Sequence, residues 1–367
     1  MSVAVAQSTS HGSTSQGTRV LSYAGALLET MDAALAEHPN VFIMGQGVDD
    51  FKGIFGSTTG LAEKYGAARV FDVPLMEEGM TGIAIGAALA GDYPITTHIR
   101  ADFSFLAMNQ ILNLAAKYRY MFGGLMSCPM LIRIVVGRSW GQGAQHSQSP
   151  QSTFAHYPGL TVVMPSSSQA ILDMYPAIIA KHPGPVISIE HRLLYNLDFT
   201  VSDSAKTVPL GSYIAREGKD VTVVATSVMV LEALRAAQYV HDKTGISAEI
   251  IDLNSISHPD WELVAGSVRK TGRLVVADTS WLEYGVAAEV CRQLVMRDPR
   301  LLRQPPSMLG MAPAPCPTAK SLEDIYYPSQ HETVDAILAQ VKGADHGIAL
   351  PVERSMTEGY KRFRGPF

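Results

Sequence analysis

The sequence predicts an α/β protein made of two doubly wound domains, each a mainly parallel sheet with helices on both faces. Three observations predict it. Strand-length apolar runs such as Val41-Phe42-Ile43-Met44, Met130 to Val136 and Val221 to Ala225 are continuous rather than alternating, the pattern of strands covered on both sides. They take turns with stretches of helical period. The polar, turn-rich stretch Asn196 to Ser212 then divides a chain of 367 residues, long enough for two domains of ordinary size.

Taken in order, Tyr23 to Glu37 has the apolar stripe of an amphipathic helix and leads to the strand Val41 to Met44. Arg69 to Asp72 reads as a short strand. Thr81 to Ala90, small and apolar throughout, reads as a buried helix. A strand near Ile95 to Ile99, a helix from Phe105 to Tyr120 and the strand Met130 to Val136 follow. The strand Thr161 to Met164, the helix Gln169 to Lys181 and the strand Val186 to Glu190 complete the first domain. The second starts at the strand Val221 to Ala225 and continues through the helix Val228 to Lys243 and the strand Ala248 to Leu253. Then come the helix Trp261 to Lys270, the strand Arg273 to Ala277 and the helix Val286 to Val295. Pro305 to Pro317 reads as an extended loop and Gln330 to Lys342 as the last helix. The expected boundaries are a disordered Ser/Thr/Gln-rich tail over 1–18, a first domain over 19–200, a second over 213–343 and a basic, aromatic arm over 344–367.

Composition excludes several classes. Hydrophobic content of 47% against 17% charged residues indicates a well-buried globular protein with room for large subunit interfaces. A net charge of −5 offers no basic footprint for nucleic acid. Met80 to Gly91, the longest uncharged apolar stretch, is short of the roughly 20 residues that span a bilayer, so no membrane is expected. The first residues have no apolar core and do not read as a secretory signal. Cys128, Cys291 and Cys316 lack metal or redox spacing and fit buried thiols of a reducing cytoplasm, where the protein is expected to reside.

Two polar features stand out. Glu77 and Glu78 open the apolar run Met80 to Gly91, and a charge at the mouth of such a segment is either well capped or chemically employed. Further on, Gln145-His146-Ser147-Gln148 follows a Gly-rich loop. An acidic residue and a loop histidine on successive α/β units fit acid/base chemistry on a bound small molecule. Neither is decisive alone: Glu77 also reads as a helix-start carboxylate favoured by the local dipole, and His146 as a loop histidine satisfied by backbone. Gly82, Gly86 and Gly91 read as close-packing positions, because their spacing lacks the dinucleotide fingerprint.

Longer stretches carry a resemblance. Gly60-Leu61-Ala62-Glu63-Lys64-Tyr65-Gly66, Arg69-Val70-Phe71-Asp72-Val73-Pro74-Leu75-Met76-Glu77 and Asn113-Leu114-Ala115-Ala116-Lys117-Tyr118-Arg119-Tyr120 occur in one order with Gln145-His146-Ser147-Gln148-Ser149-Pro150 and Phe154-Ala155-His156-Tyr157-Pro158-Gly159-Leu160. Together they resemble the beta subunit of the 2-oxoacid dehydrogenase first component of pyruvate, branched-chain or acetoin type, from about Val20 to about Leu338. The resemblance implies a thiamine-diphosphate pyrimidine-binding fold followed by a transketolase C-terminal domain. It implies half a site, completed by an alpha subunit in a two-alpha, two-beta heterotetramer that holds the diphosphate through magnesium. No Gly-Asp-Gly followed by a downstream Asn occurs here, and no metal is expected in this chain. A lipoyl acyltransferase is the implied recipient of the acyl group.

The resemblance also implies roles. Glu77 matches the glutamate that hydrogen-bonds the pyrimidine nitrogen and drives ylide formation. Phe103 matches an aromatic ring stacked on the aminopyrimidine; an ordinary core position is its other reading. His146 matches a histidine at the active-site mouth that moves protons, with Gln145 in support. Two positions depart from the family. Gln46 stands where many relatives have a glutamate proposed to link paired sites, which puts that link in doubt. Thr97-His98-Ile99-Arg100 replaces a stretch that usually starts with glutamate, and Arg100 reads either as a receptor for a carboxylate or phosphate or as an ion-pair partner of Asp102. The cation segment Ala180-Lys181-His182-Pro183-Gly184-Pro185-Val186 holds no carboxylate, and Lys181 would repel potassium. Two rivals stay open: a split transketolase-like subunit moving a two-carbon ketol unit, and a non-catalytic scaffold.

Overall fold

The computed structural model describes residues 17–138, 141–203 and 208–353. The expected tail over 1–18 lies almost wholly outside the described residues, as does the expected arm from 354 onward. Two compact units emerge. One contains the described residues up to Gly137 together with Thr153–Pro209; the other contains Arg138–Ser152 together with the described residues from Leu210 onward.

In the first unit the strands are β1 (Thr18–Ser22), β2 (Val41–Gly45), β3 (Val70–Asp72), β4 (Tyr93–His98), β5 (Met130–Val136), β6 (Thr161–Val163), β7 (Pro185–His191) and β8 (Asp198–Ser202). Six of them form a wholly parallel sheet in the order β3-β2-β4-β5-β7-β6. Every residue of β4, β5 and β7 is buried, as in a strand covered on both faces, including the polar Thr97, His98, Arg133 and Glu190. From β2 the chain adds β3 on one side and β4 on the other, so the order reverses between β2 and β4. A reversal of this kind opens a crevice outside the carboxyl ends of the two strands. The helix Tyr23–Glu37 starts where Ser22 Oγ accepts from Gly25 N, and it packs on the helix Ser168–Lys181, capped in turn by Ser167. Inside the sheet, Arg133 and Glu190 form a bidentate ion pair of 2.8 and 2.9 Å with both side chains at zero exposure. Hydroxyls of Tyr175 and Tyr195 also donate to that carboxylate.

Several expectations need correction here. The Glu77–Ala90 helix buries one face only, through Met80, Thr81, Ala84, Ile85 and Ala88. Ile83 on the other face is 57% exposed, and a Cβ built at Gly86 or Gly91 meets nothing within 4 Å, so those glycines make no close packing within this chain. An all-apolar helix does not reveal by its pattern which face its own chain will cover. Gly91, at φ 105, instead ends the helix in a left-handed cap. The single helix expected over Phe105 to Tyr120 is broken into a helical turn Ala101–Ser104, a tight turn Phe105–Ala107, a π-helical stretch Asn109–Ala115 and a turn Tyr118–Met121. Asn196 to Ser212 is not only linker, because β8 pairs antiparallel with β1.

The second unit has β9 (Tyr213–Arg216), β10 (Val221–Ala225), β11 (Ala248–Asp252), β12 (Leu274–Trp281) and β13 (Ser307–Met311), in the order β13-β12-β10-β11-β9. All pair in parallel except β9, which closes one edge antiparallel. The expected loop Pro305 to Pro317 therefore carries an edge strand, with its prolines just outside the paired residues, where no ladder donor is needed. Helices Val228–Thr244, Trp261–Thr271, Val286–Arg297 and Gln330–Lys342 connect or cover the strands. Asp260 caps the second by accepting from Leu263 N at 2.9 Å, and Ser329 with Glu332 forms a capping box on the last. Cys128 and Cys316 are buried as expected, whereas Cys291 is only half-buried.

Candidate functional site

Gln46 leaves the carboxyl end of β2, and Thr97 and His98 end β4 beside it, in the register Gly45 to Thr97. A Cβ at Gly45 would come within 2.8 Å of the Thr97 carbonyl oxygen, so glycine allows the two strand ends to approach this closely. Glu77 begins its helix and is 7% exposed, and Gln46 Nε2 donates to its Oε1 at 3.2 Å. Free backbone N–H groups and the helix dipole favour a carboxylate at that first turn. Glu78 has other business: its Oε1 accepts from Gln110 Nε2 at 2.9 Å.

His98 is 1% exposed, and neither ring nitrogen has a hydrogen-bond partner among the described residues. Burial pulls its pKa down to about 4, against the opposing pull of the Glu77 carboxylate, so the imidazole is neutral at ordinary pH. Sequence reasoning quoted His98 but gave it no role; the signal was a histidine inside a strand whose other positions are buried. Arg100 is 9% exposed. Its Nη1 donates to Ile99 O at 2.8 Å while its Nε, also buried, has no acceptor among the described residues. Burial lowers the guanidinium pKa and the Asp102 carboxylate works against that, so the expected attraction to Asp102 exists without offsetting the burial. Phe103, in the helical turn after β4, is 37% exposed. The crevice at the β2/β4 reversal thus gathers Gln46, Glu77 and His98, with Arg100 and Phe103 on the segment that follows β4.

His146 and Gln145 lie in the second unit, His146 half-buried and Gln145 exposed. Their loop is fastened at several points. Tyr327 donates through its hydroxyl to Ser147 O at 3.0 Å, and the Arg138 guanidinium sits 4.8 Å from the centre of the same tyrosine ring. Gln151 Nε2 donates to Asp278 Oδ1 at 2.8 Å, and Asp278 also accepts from Thr226 and Ser280. Ser149 Oγ links Gln151 Oε1 at 2.7 Å to Thr279 Oγ1 at 3.2 Å. Gly141 and Gly143 turn through left-handed φ of 64° and 68° against Thr318, where a Cβ would come within 2.9 Å. Among the described residues, no group of three or more His, Cys, Asp and Glu side chains is arranged to hold a metal ion.

Comparison with known proteins places this geometry. Residues 19–198 match the transketolase pyrimidine binding domain, and residues 212–332 match the transketolase C-terminal domain. The beta-2 subunit of the mitochondrial pyruvate dehydrogenase E1 component of Oryza sativa subsp. japonica is 40% identical over 85% of this chain and 84% of its own length. The beta-1 subunit from Arabidopsis thaliana is 39% identical over 87% and 89%. The beta subunit of an acetoin:2,6-dichlorophenolindophenol oxidoreductase from Cupriavidus necator is 37% identical over 89% and 99%. A solved split-gene transketolase, described as an inactive beta4 tetramer, shares the fold at a TM-score of 0.70 and 21% identity, over 88% of this chain and 98% of that one. The chain belongs to the thiamine-diphosphate-dependent transketolase-like superfamily and, within it, to the beta subunits of the 2-oxoacid dehydrogenase first component.

Proposed function

We propose that this chain is the beta half of a thiamine-diphosphate-dependent enzyme that decarboxylates a 2-oxoacid and passes the acyl group to a lipoyl domain, active only with an alpha subunit. One observation carries the reading: a buried carboxylate, Glu77, held on one oxygen by the Gln46 amide at the strand-order reversal of a parallel sheet. These residues fit the pyrimidine end of the cofactor, since a fixed acid and an accessible ring at Phe103 suit a flat, nitrogen-bearing heterocycle. Bound there, thiamine diphosphate supplies the carbon nucleophile and the electron sink for decarboxylation.

The chain's own residues do the rest. Gln46 fixes the orientation of the Glu77 carboxyl group, which would hydrogen-bond a ring nitrogen of the bound heterocycle and hold a proton there. Phe103 offers a flat apolar face. His146 moves protons from its anchored loop, with Gln145 beside it. Magnesium and the diphosphate fall to the alpha subunit. Apolar side chains left exposed on the first unit, Leu75, Ile83 and Leu106 among them, supply a surface for that subunit to cover.

Co-expression with the alpha subunit tests the proposal. Glu77→Gln is expected to lower turnover of a 2-oxoacid with an artificial electron acceptor by about 10²–10⁴-fold, while the heterotetramer elutes unchanged on size exclusion. Full turnover in this variant would remove Glu77 from the chemistry.

A further inference from the structure

We infer that Arg100 is a receptor for a second anionic group on the donor substrate, a carboxylate or phosphate remote from the carbonyl that reacts. The inference rests on the proposed function and names its substrate class. Three observations support it.

The first is position. Arg100 lies on the segment that leaves the carboxyl end of β4, at the strand-order reversal where Gln46 meets Glu77 and where a parallel sheet binds its ligands. The second is geometry. The guanidinium is clamped through Nη1 on the carbonyl of Ile99, which leaves the side of the fork that includes Nε without an acceptor among the described residues. A guanidinium grips a carboxylate or phosphate with two parallel N–H groups, and a clamped one loses little freedom on doing so. A buried N–H without a partner is costly, and an anion seated there removes the cost. The third is charge. His98 next to it in the crevice is neutral, and the Asp102 carboxylate only partly compensates the burial of Arg100. The cation that this strand end brings is therefore the Arg100 guanidinium, with the Asp102 carboxylate near it.

The departing carboxylate of a 2-oxoacid is the wrong partner for such a cation. Decarboxylation converts that group into neutral carbon dioxide, so a cation holding it would stabilise the ground state more than the transition state. A group that keeps its charge from binding to product release gains from Arg100 throughout. This favours a dianionic donor, such as a 2-oxodicarboxylic acid or a phosphorylated 2-oxoacid, over pyruvate.

The test uses the complex reconstituted with its alpha subunit. Decarboxylation of 2-oxoglutarate, 3-phosphohydroxypyruvate, pyruvate and 2-oxobutyrate is compared by kcat/KM, and the first two distinguish carboxylate from phosphate. Calorimetric titration with 2-oxoglutarate and with inorganic phosphate gives a readout independent of turnover. One dianionic donor should exceed both monoanionic ones at least tenfold. Arg100→Gln should cut that ratio by roughly 100-fold, mainly through KM, and weaken the matching titration to a similar degree, with Arg100→Lys intermediate. Unchanged circular dichroism and melting in the variants would exclude misfolding as the cause. Equal or better use of pyruvate, or an Arg100→Gln loss shared evenly by all donors, would overturn the inference and leave the proposed function standing. A complex that decarboxylates a branched-chain 2-oxoacid but none of the four would overturn the inference alone, and one that decarboxylates none of these five would sink both.

Discussion

At the scale of single residues, the first unit places an ion pair deep inside its sheet. Arg133 and Glu190 meet with no exposure, and burial together with the neighbouring Glu190 raises the pKa of Tyr175 and Tyr195, keeping both as phenol donors. Removing one member strands the other. Arg133→Met is expected to cost about 3–5 kcal/mol in urea denaturation, because Glu190 loses its counter-charge where water cannot replace it. The paired change Arg133→Met with Glu190→Leu should cost clearly less than Arg133→Met alone, and an equal or larger loss would show that the ion pair itself is not the issue. Gln46 illustrates a subtler effect. An amide opposite Glu77 donates a hydrogen bond, whereas a glutamate at position 46 would bring a second negative charge.

Among elements, the loop around His146 owes its shape to the second unit. Tyr327→Phe removes the donor to Ser147 O and is expected to cost about 1 kcal/mol. Asp278→Ala leaves Gln151, Thr226 and Ser280 without their shared acceptor and should cost more, about 2–3 kcal/mol. Thermal melting gives both values. If His146 works as proposed, each variant also lowers kcat more than it raises KM, whereas intact kcat would separate the anchors from the chemistry. How far these elements could be read from the sequence depended on how local their causes are. Tyr23–Glu37, Met130–Val136, Val221–Ala225 and Gln330–Lys342 appear at the expected bounds, since periodicity and capping residues define them locally. β8 escaped because its partner β1 is almost the whole unit away in sequence, and β13 because prolines flank it. The π-helical stretch has no distinct period of its own to detect. Glu77 was visible as a charge at the mouth of an apolar run. Its bond to Gln46 and the unpartnered nitrogens of His98 needed the folded sheet.

For the whole molecule, two buried groups set opposing pH dependences. His98 titrates at about 4 when folded against 6.5 for an ordinary histidine. Between those values the unfolded chain holds a proton that the native chain refuses, so stability falls as pH falls through that window. Glu232, buried against Arg235 and the backbone N–H of Gln330, is raised by burial from 4.5 to about 7. There the native chain keeps a proton that the unfolded chain releases, so stability falls as pH rises from 4.5 towards 7. Each shift corresponds to about 3 kcal/mol. Melting curves of the full chain between pH 4 and pH 8 should therefore gain acid resistance in His98→Asn and lose their near-neutral decline in Glu232→Gln. A curve unchanged by either substitution would show that the named group is not responsible.

The way Arg138–Ser152 departs from its neighbours in sequence to pack with the second unit has a practical corollary. A gene divided after Pro209 would yield a carboxyl-terminal fragment deprived of Gln151 and Ser147, with Asp278 and the Tyr327 hydroxyl stripped of complements supplied by the other piece. Such halves would have to be made together and trade that excursion in trans to recover their native form.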